Sequence, residues 1–439
     1  MWRDTLSRSA WLVAGSAAGR LLPYVMMLWL GRHLPTAEFA TLAVAFAWSG
    51  VAASLTTTGL ATLTAQRLAL VATASVRWRF VQRVGLLALA QVTALSLLIA
   101  ALGEHTIATA FGKVLLPRTL APALIHGIAW SLTLLLVAAL NGLHCARDAA
   151  VVLGKGGLLQ GLGLICGFLL GTHAYEAPRV GALWGLALGS CCALGPAAWR
   201  LGPALHKAAP QSGADVDPFR GFWHSLGWTS LAAASVLPVT LLASSLVARG
   251  PDGAMQLAAF HALEQLHQLA LFVPGIIGQA LLPTLTVHLH QDTVRGTRRL
   301  VCMAFALGFS GLALATALAW DPSWLHALVG NPALSTPWAT RWMLLHAGLA
   351  LALTLLGSSL LARGLHALAS GLNVLWALAF VSLAWCWSAE GAAGLQLARL
   401  FASGGLALAA GALLWLSAAP SASTLRQSAI SRAENQSNE

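Results

Sequence analysis

Long apolar runs, rich in leucine and alanine, follow one another along the whole chain and are separated by short polar turns. Each run is about 20 residues long, the length that a helix needs to cross a bilayer, and none alternates as a barrel strand would. The pattern predicts about twelve transmembrane helices, at residues 9–30, 38–61, 82–103, 120–142, 150–171, 180–199, 222–248, 255–286, 300–320, 339–362, 364–388 and 392–417. Only Arg363 and Gly364 interrupt the apolar run between the tenth and eleventh of these helices.

The composition supports the same interpretation. Of the 439 residues, 58% are hydrophobic and 9% are charged, and the mean hydropathy is +0.74. A soluble domain usually has about a quarter of its residues charged. In lipid, by contrast, backbone polar groups must be satisfied within helices or a closed barrel. We therefore expect an all-α polytopic membrane protein.

The basic residues indicate an orientation rather than a nucleic-acid partner. The net charge is +11, but lysine and arginine collect on cytoplasmic loops of membrane proteins for topological reasons. With the N-terminus in the cytoplasm, about 17 basic residues fall on inner loops and tails and about 5 on outer loops. An even number of helices then returns the C-terminus to the cytoplasm.

Two stretches of the chain show the same features in the same order, which indicates an internal repeat. In each, a helix that contains proline is followed by a short outer turn with arginine and proline, and a second helix then ends in Thr-Leu-Thr, at 62–64 and at 284–286. This repetition predicts two pseudo-symmetric six-helix bundles related by an axis along the membrane normal. We place them at 1–200 and 222–417, joined by a cytoplasmic linker at 201–221 and followed by a disordered cytoplasmic tail at 418–439.

Glycines and cysteines indicate packing. The stretch GKGGLLQGLGLICG at 154–167 has no GK[ST] ending and no preceding strand, so it predicts close helix contacts rather than a phosphate loop. The cysteines fall within or beside apolar runs and form no CxxC pair, so we expect small core residues.

Three charged residues stand out inside the predicted helices, namely Arg20, Glu264 and Arg399. Each costs about 2.5–3.5 kcal/mol on insertion scales and therefore needs a partner or a role. Arg20 lies roughly 16 Å from the inner end of its helix and Glu264 roughly 14 Å from the outer end of its own. We expect these two to meet near the midplane, whereas Arg399 lies nearer the outer face and can snorkel towards water.

The eighth predicted helix carries a polar stripe. It consists of His261, Glu264, Gln265 and Gln268, at positions i, i+3, i+4 and i+7 of one face. Such a stripe does not suit lipid, so we expect it to face a water-filled cavity or the bundle interior.

Three further polar residues are candidates for the same cavity. Tyr24 shares a face of the first helix with Arg20, and Asn141 and Gln160 lie on the fourth and fifth helices. A hydrogen bond between helices, worth about 1 kcal/mol, is the alternative explanation for the last two.

Family resemblance is carried by the opening run SAWLVAGSAAGRLLPYVMMLWLGRHLPTAEFATLAVAF and by LFVPGIIGQALLPTLT at 271–286. The opening run resembles the start of polysaccharide flippases of the multidrug/oligosaccharidyl-lipid/polysaccharide exporter superfamily. The stretch at 271–286 resembles the eighth helix of the same group. The turn at 34–40 follows that family's pattern, except that Ala40 stands where glycine is common. The resemblance extends over the whole length in helix number and two-half organisation.

What the resemblance implies is an O-antigen-type flippase of the bacterial inner membrane, a transporter and not an enzyme. Such proteins move undecaprenyl-diphosphate-linked oligosaccharide from the cytoplasmic to the periplasmic leaflet by alternating access. We expect a monomer whose partners are this cargo and membrane lipids, with proton or sodium coupling and with no cofactor, metal or nucleic acid.

The candidate residues take roles in that function. Arg20 would bind the diphosphate, because a guanidinium matches phosphate oxygens bidentately. The histidine and glutamines of the stripe would bind sugar hydroxyls. Glu264 would either neutralise Arg20 in the empty cavity or carry a coupling proton; the alternative is a structural Arg20–Glu264 pair that fixes helix packing.

Other functions remain open. A membrane glycosyltransferase or O-antigen polymerase usually needs an acidic catalytic site or a sizeable outer loop, yet the first outer turn, 31–37, has no acidic residue and the longest outer loop, 321–338, has only Asp321. The further alternatives are a cation-coupled drug exporter or a peptidoglycan-precursor flippase of the same superfamily.

Overall fold

A computed structural model of the protein describes residues 2–69, 71, 73–110, 118–174, 177–207, 217–250, 252–271, 293–321, 323–324 and 336–417. Every element of regular structure in these ranges is a helix. The α-helices are α1 Trp2–His33, α2 Thr36–Ala53, α3 Gly59–Leu68, α4 Ala74–Ala110, α5 Leu120–Gly142, α6 Ala146–Ala174, α7 Pro178–Lys207, α8 Phe222–Ala234, α9 Leu237–Ala248, α10 Gly253–Ala270, α11 Thr293–Trp320, α12 Pro337–Ala362, α13 His366–Cys386 and α14 Gly391–Ser417. Ten helical segments among the described residues are long and apolar enough to cross a membrane. The prediction of an all-α polytopic membrane protein is confirmed.

Most helix boundaries lie within a few residues of the predicted ones, but α1 begins at Trp2 and not at residue 9, α4 extends over Ala74–Ala110 and not 82–103, and α11 begins at Thr293 and not at residue 300. The break at Arg363 and Gly364 is confirmed, and Gly364 there has φ 72°, a conformation that glycine adopts without strain. The end predicted at residue 199 is wrong, because α7 continues to Lys207. The part of the eighth predicted helix beyond Leu271 lies outside the described residues.

Two membrane-spanning segments are interrupted near their centres. A π-helical turn, Ser54–Thr58, separates α2 from α3, and the hydroxyl of Thr56 donates to the carbonyl of Ala52 at 2.7 Å. Between α8 and α9 the interruption comes just before Pro238, which lacks the N–H that a continuous helix needs. At the second interruption the hydroxyl of Ser235 donates to the carbonyl of Ala232 at 2.8 Å, so at both places a hydroxyl of the same segment binds a backbone carbonyl.

The helices pack in two sets, which we call the first bundle (α1–α7) and the second bundle (α8–α14). They meet where α2 packs against α10 and where α3 packs against α8. At the second of these contacts a Cβ on Gly59 would lie 2.7 Å from the backbone nitrogen of Ser230. Phe39 of α2 and Phe260 of α10 belong to one fully buried cluster that spans the joint. Residues 201–221 stay our proposed boundary between the bundles.

Glycine contacts explain how α6 and α7 approach each other. A Cβ on Gly185 would lie 1.9 Å from the carbonyl oxygen of Gly163, and a Cβ on Gly181 would lie 2.2 Å from that of Gly167. A second pair of helices, α1 and α6, uses Gly157 in the same way. The interpretation of the glycine-rich stretch as a helix-packing surface is confirmed.

The expectation that the cysteines are core residues is wrong. Five of the six are exposed on the helix surfaces and Cys145 is half-buried. The physical reason is that lipid, unlike water, accepts small apolar side chains on the outside of a bundle, so burial is not needed to hide a thiol.

We expect Gly185→Ala to destabilise the protein by about 1–3 kcal/mol, because the added methyl group must push α7 away from the Gly163 backbone. The matched control is Gly195→Ala on the same helix, where the added Cβ meets open space. That variant should be neutral or slightly stabilising. Thermal unfolding in detergent measures both, and equal melting temperatures would contradict the proposed contact.

Candidate functional site

Helix α10 carries four of the nine predicted site residues and packs against both bundles. His261 and Gln265 are buried, whereas Glu264 and Gln268 are partly exposed. The stripe therefore faces protein, as predicted, and its members divide between two environments.

An ion pair between Glu264 of α10 and Arg399 of α14 lies at the centre of the site. Arg399 Nη1 donates to Glu264 Oε2. The guanidinium also lies over two aromatic rings, with Cζ 5.4 Å from the centroid of Phe260 and 5.9 Å from that of Phe380. The carboxylate therefore binds the N–H edge of the guanidinium, and the two aromatic rings stabilise its charge through cation–π contacts.

The register of the two helices accounts for this meeting. Near the start of both helices, Gln256 Oε1 accepts a hydrogen bond of 3.1 Å from the Ala392 backbone nitrogen. Glu264 follows Gln256 by eight residues and Arg399 follows Ala392 by seven. Because Gln256 and Ala392 are at the same depth and the two helices run parallel, Glu264 and Arg399 also lie at the same depth, about two helical turns further along.

One expectation about the charged residues is wrong, because Arg399 does not snorkel towards water and is only 4% exposed. It pairs instead with Glu264, a partner that the sequence did not predict for it. The Arg20 side chain lies outside the described residues, so its role stays a prediction.

A series of polar contacts runs from the carboxylate through the second bundle, and its hydrogen bonds begin at His267. His267 Nδ1 lies 3.8 Å from Glu264 Oε1, and His267 Nε2 shares a hydrogen bond of 2.7 Å with His346 Nδ1 of α12. His346 Nε2 in turn lies 2.9 Å from the hydroxyl of Ser403 on α14. We call Glu264, Arg399, His267, His346 and Ser403 the polar chain.

Neighbouring side chains hold the polar chain in place. Gln268 Nε2 donates to Glu264 Oε1 at 2.8 Å, and Trp376 Nε1 donates to the Ser403 hydroxyl at 3.0 Å. The rings of His267 and His346 are stacked, with centroids 4.6 Å apart. An imidazole can accept a proton on one nitrogen and release it from the other, so this arrangement can pass protons to and from the carboxylate.

Beside the polar chain, several buried polar atoms have no partner among the described residues. They are His261 Nε2, Gln265 Oε1 and both side-chain polar atoms of Gln396, which lies one turn before Arg399. Leaving a polar group buried and unpaired costs about 1–3 kcal/mol, so water or a ligand is expected to bind them.

The remaining predicted residues lie in the first bundle. Tyr24 is half-buried on α1. Asn141 is half-buried on α5 and Gln160 is buried on α6, and each has one buried side-chain atom without a partner in the described ranges. The structure does not bring Asn141 or Gln160 to the polar chain.

Sequence reasoning missed part of the site, namely His267, His346, Gln396 and Ser403. The spacing of Gln396, Arg399 and Ser403 at i, i+3 and i+7 would have indicated a second polar face, on α14. His346 is a lone histidine in an apolar run, and no spacing marks it.

Comparison with known proteins places this geometry in a fold. No protein-family model and no curated protein sequence matches the chain. The Vibrio cholerae MATE transporter VcmN in its bent form matches with a TM-score of 0.57 and 14% identity, over 95% of this chain and 96% of that chain. The chain has the MATE transporter fold.

Two further solved structures agree. An inward-facing multidrug resistance MATE family transporter of the MOP superfamily matches with a TM-score of 0.61 and 13% identity, over 92% of this chain and 94% of that one. A MOP superfamily transporter from Pyrococcus furiosus, described as having a binding pocket of reverse polarity, matches with a TM-score of 0.61 and 13% identity, over 94% and 95%. The predicted pair of pseudo-symmetric bundles is confirmed by these folds.

We expect Glu264→Gln and Arg399→Met each to destabilise the protein by about 3–5 kcal/mol, because each leaves a buried charge without its partner. The double variant should lose less than either single variant, since neither charge remains. Unfolding in detergent measures this double-mutant cycle.

The matched control is Arg179→Gln, which breaks a partly exposed pair with Glu38 at 3.3 Å. It should cost at most about 1 kcal/mol. A Glu264→Gln variant as stable as this control would show that the buried pair does not hold α10 to α14.

Proposed function

We propose that this protein is a transporter of the bacterial inner membrane, with both termini in the cytoplasm, that moves its cargo by alternating access of its two bundles. The observation that supports this proposal is the polar chain, in which the half-buried carboxylate of Glu264 lies beside two buried imidazoles, close to the contact between the bundles. Ionisable groups at this depth are costly and typically mark transport or proton pathways.

The proposed cargo is an undecaprenyl-diphosphate-linked oligosaccharide. Support comes from the opening run and the turn at 34–40, which resemble polysaccharide flippases. Unpartnered buried atoms of His261, Gln265 and Gln396 add to it, because sugar hydroxyls both donate and accept hydrogen bonds. Arg20 remains the proposed diphosphate ligand.

A drug exporter of the same superfamily is the second candidate. Its support is that Glu264 neutralises Arg399, which removes one of the two cations available for a diphosphate. Multidrug transporters among the solved structures of this fold point the same way.

We expect reconstituted protein to move lipid-linked oligosaccharide between leaflets, measured as exposure of the sugar to an added lectin. Gln265→Leu should slow this movement about fivefold to tenfold, the value of a hydrogen bond or two. The control is Gln91→Leu on α4, which also removes a buried, unpartnered amide oxygen. If the wild-type protein leaves the sugar in place but exports a fluorescent organic cation, the drug-exporter candidate replaces the flippase.

Protons fit the polar chain better than sodium as the coupling ion. A sodium ion at Glu264 would meet the positive charge of Arg399, which already binds the carboxylate. In the described ranges, no group of three or more His, Cys, Asp or Glu side chains could hold a metal ion. An imidazole, by contrast, can accept a proton on one ring nitrogen and release it from the other.

Coupling would act through the contact between α10 and α14. When Glu264 takes up a proton, it loses the charge that holds Arg399, and the link between these two helices weakens. Because α10 also packs against α2, this change reaches the joint between the bundles. The protonated and deprotonated forms would then favour different arrangements of the two bundles.

We expect His346→Phe to lower proton-driven transport about tenfold or more, because it removes the hydrogen bonds on both sides of one imidazole. The control is His126→Phe in the first bundle, where a buried histidine bonds Ser190 at 2.6 Å. Vesicles with and without an imposed pH gradient separate coupling from cargo binding. Equal loss in both variants would remove the polar chain from the coupling mechanism.

A further inference from the structure

A groove of about 450 Å³ lies between α4 of the first bundle and the start of α8 of the second. Its walls are mostly apolar, and they consist of Arg83, Val84, Leu86, Leu87, Phe219, Phe222 and Trp223. Leu86 is 67% exposed and Trp223 is 64% exposed. Since the groove opens outwards from the bundles, it contacts whatever surrounds the protein.

Aromatic rings fix the shape of the groove. Phe80 on α4 lies 5.2 Å from Phe219 and 5.7 Å from Phe222, measured between ring centroids. Gly221, with φ 66°, turns the chain sharply between these two phenylalanines so that both rings reach α4. The groove is therefore a built feature, held by packed side chains, and not a gap between mobile loops.

One cation marks the apolar wall. The guanidinium of Arg83 lies over the Phe219 ring at 4.9 Å, and its edge forms no salt bridge with any described carboxylate. Asp217, the acidic residue nearest in sequence to Phe219, accepts a hydrogen bond of 3.0 Å from the Phe219 backbone nitrogen. Two more exposed arginines flank the groove, Arg79 one turn earlier on α4 and Arg220 in the turn before α8.

We propose that this groove binds an anionic phospholipid. The phosphate would bind the edge of Arg83, since a guanidinium matches phosphate oxygens bidentately. One acyl chain would lie along Leu86, Leu87 and Trp223. A cation at one end of an apolar groove matches a molecule with an anionic head and a hydrocarbon tail. The predicted topology puts Arg83 on the cytoplasmic side, where bacterial anionic lipids can reach it.

The test is titration of the full-length protein in detergent with phosphatidylglycerol or phosphatidylcholine, with bound lipid counted by native mass spectrometry. Arg83→Gln should weaken phosphatidylglycerol binding about tenfold and phosphatidylcholine binding much less, because choline already balances the charge of that lipid's phosphate. The control is Arg298→Gln, another exposed arginine that stacks on a ring, Trp415 at 5.2 Å, but does not line this groove. A general surface charge is worth only about fivefold per residue, so equal losses in the two variants would overturn the proposal.

A second variant tests the apolar wall while it keeps the charge. Leu87→Trp would fill the groove and should reduce phosphatidylglycerol retention as strongly as Arg83→Gln does. Full retention in Leu87→Trp would also overturn the proposal, because lipid would then be held at the surface and not in the groove. Unchanged melting temperatures show that the variants are folded, and the outcome does not depend on which cargo the protein transports.

Discussion

The cost of placing charge and unpaired polar groups in hydrocarbon governs this structure. That cost confines the described backbone to helices. Lipid also removes the hydrophobic drive for helices to associate, because lipid tails are as apolar as the side chains. Close contacts between glycines therefore bring α6 and α7 together. The same cost explains why Glu264 and Arg399 are paired at the centre of the second bundle. Each charge is tolerated there because the other neutralises it, and the register of α10 against α14 brings the two together.

Much of the fold could be predicted because the membrane sets its dimensions. Bilayer thickness determines the length of a membrane-spanning helix, so the length and composition of the apolar runs are enough to divide the chain into spans. Even the two-residue interruption at Arg363 and Gly364 corresponds to a break between two helices. The end of α7 could not be predicted in this way. Pro196 and Pro203 lie within that helix, which continues beyond the apolar run that defined it.

The site was predictable in one dimension only. Sequence position gives the depth of a residue along its helix, and the polar stripe of α10 identifies the face that packs against protein and not against lipid. Neither observation identifies the neighbouring helix that packs against that face. Depth alone suggested Arg20 as a partner for Glu264, whereas the packing of α10 beside α14 is what brings Arg399 to that carboxylate. His346 shows the same limit, because a single histidine has no periodicity.

Location within one bundle matters for how the polar chain can act. All five of its residues belong to the second bundle, so a proton can change their interactions without any charge crossing the joint. Helix α10 is nevertheless shared, since its other face packs against α2. A proton can shift the arrangement of the bundles only by the difference in its affinity for the two states. The Glu264–Arg399 contact supplies that difference if it forms in one state and opens in the other.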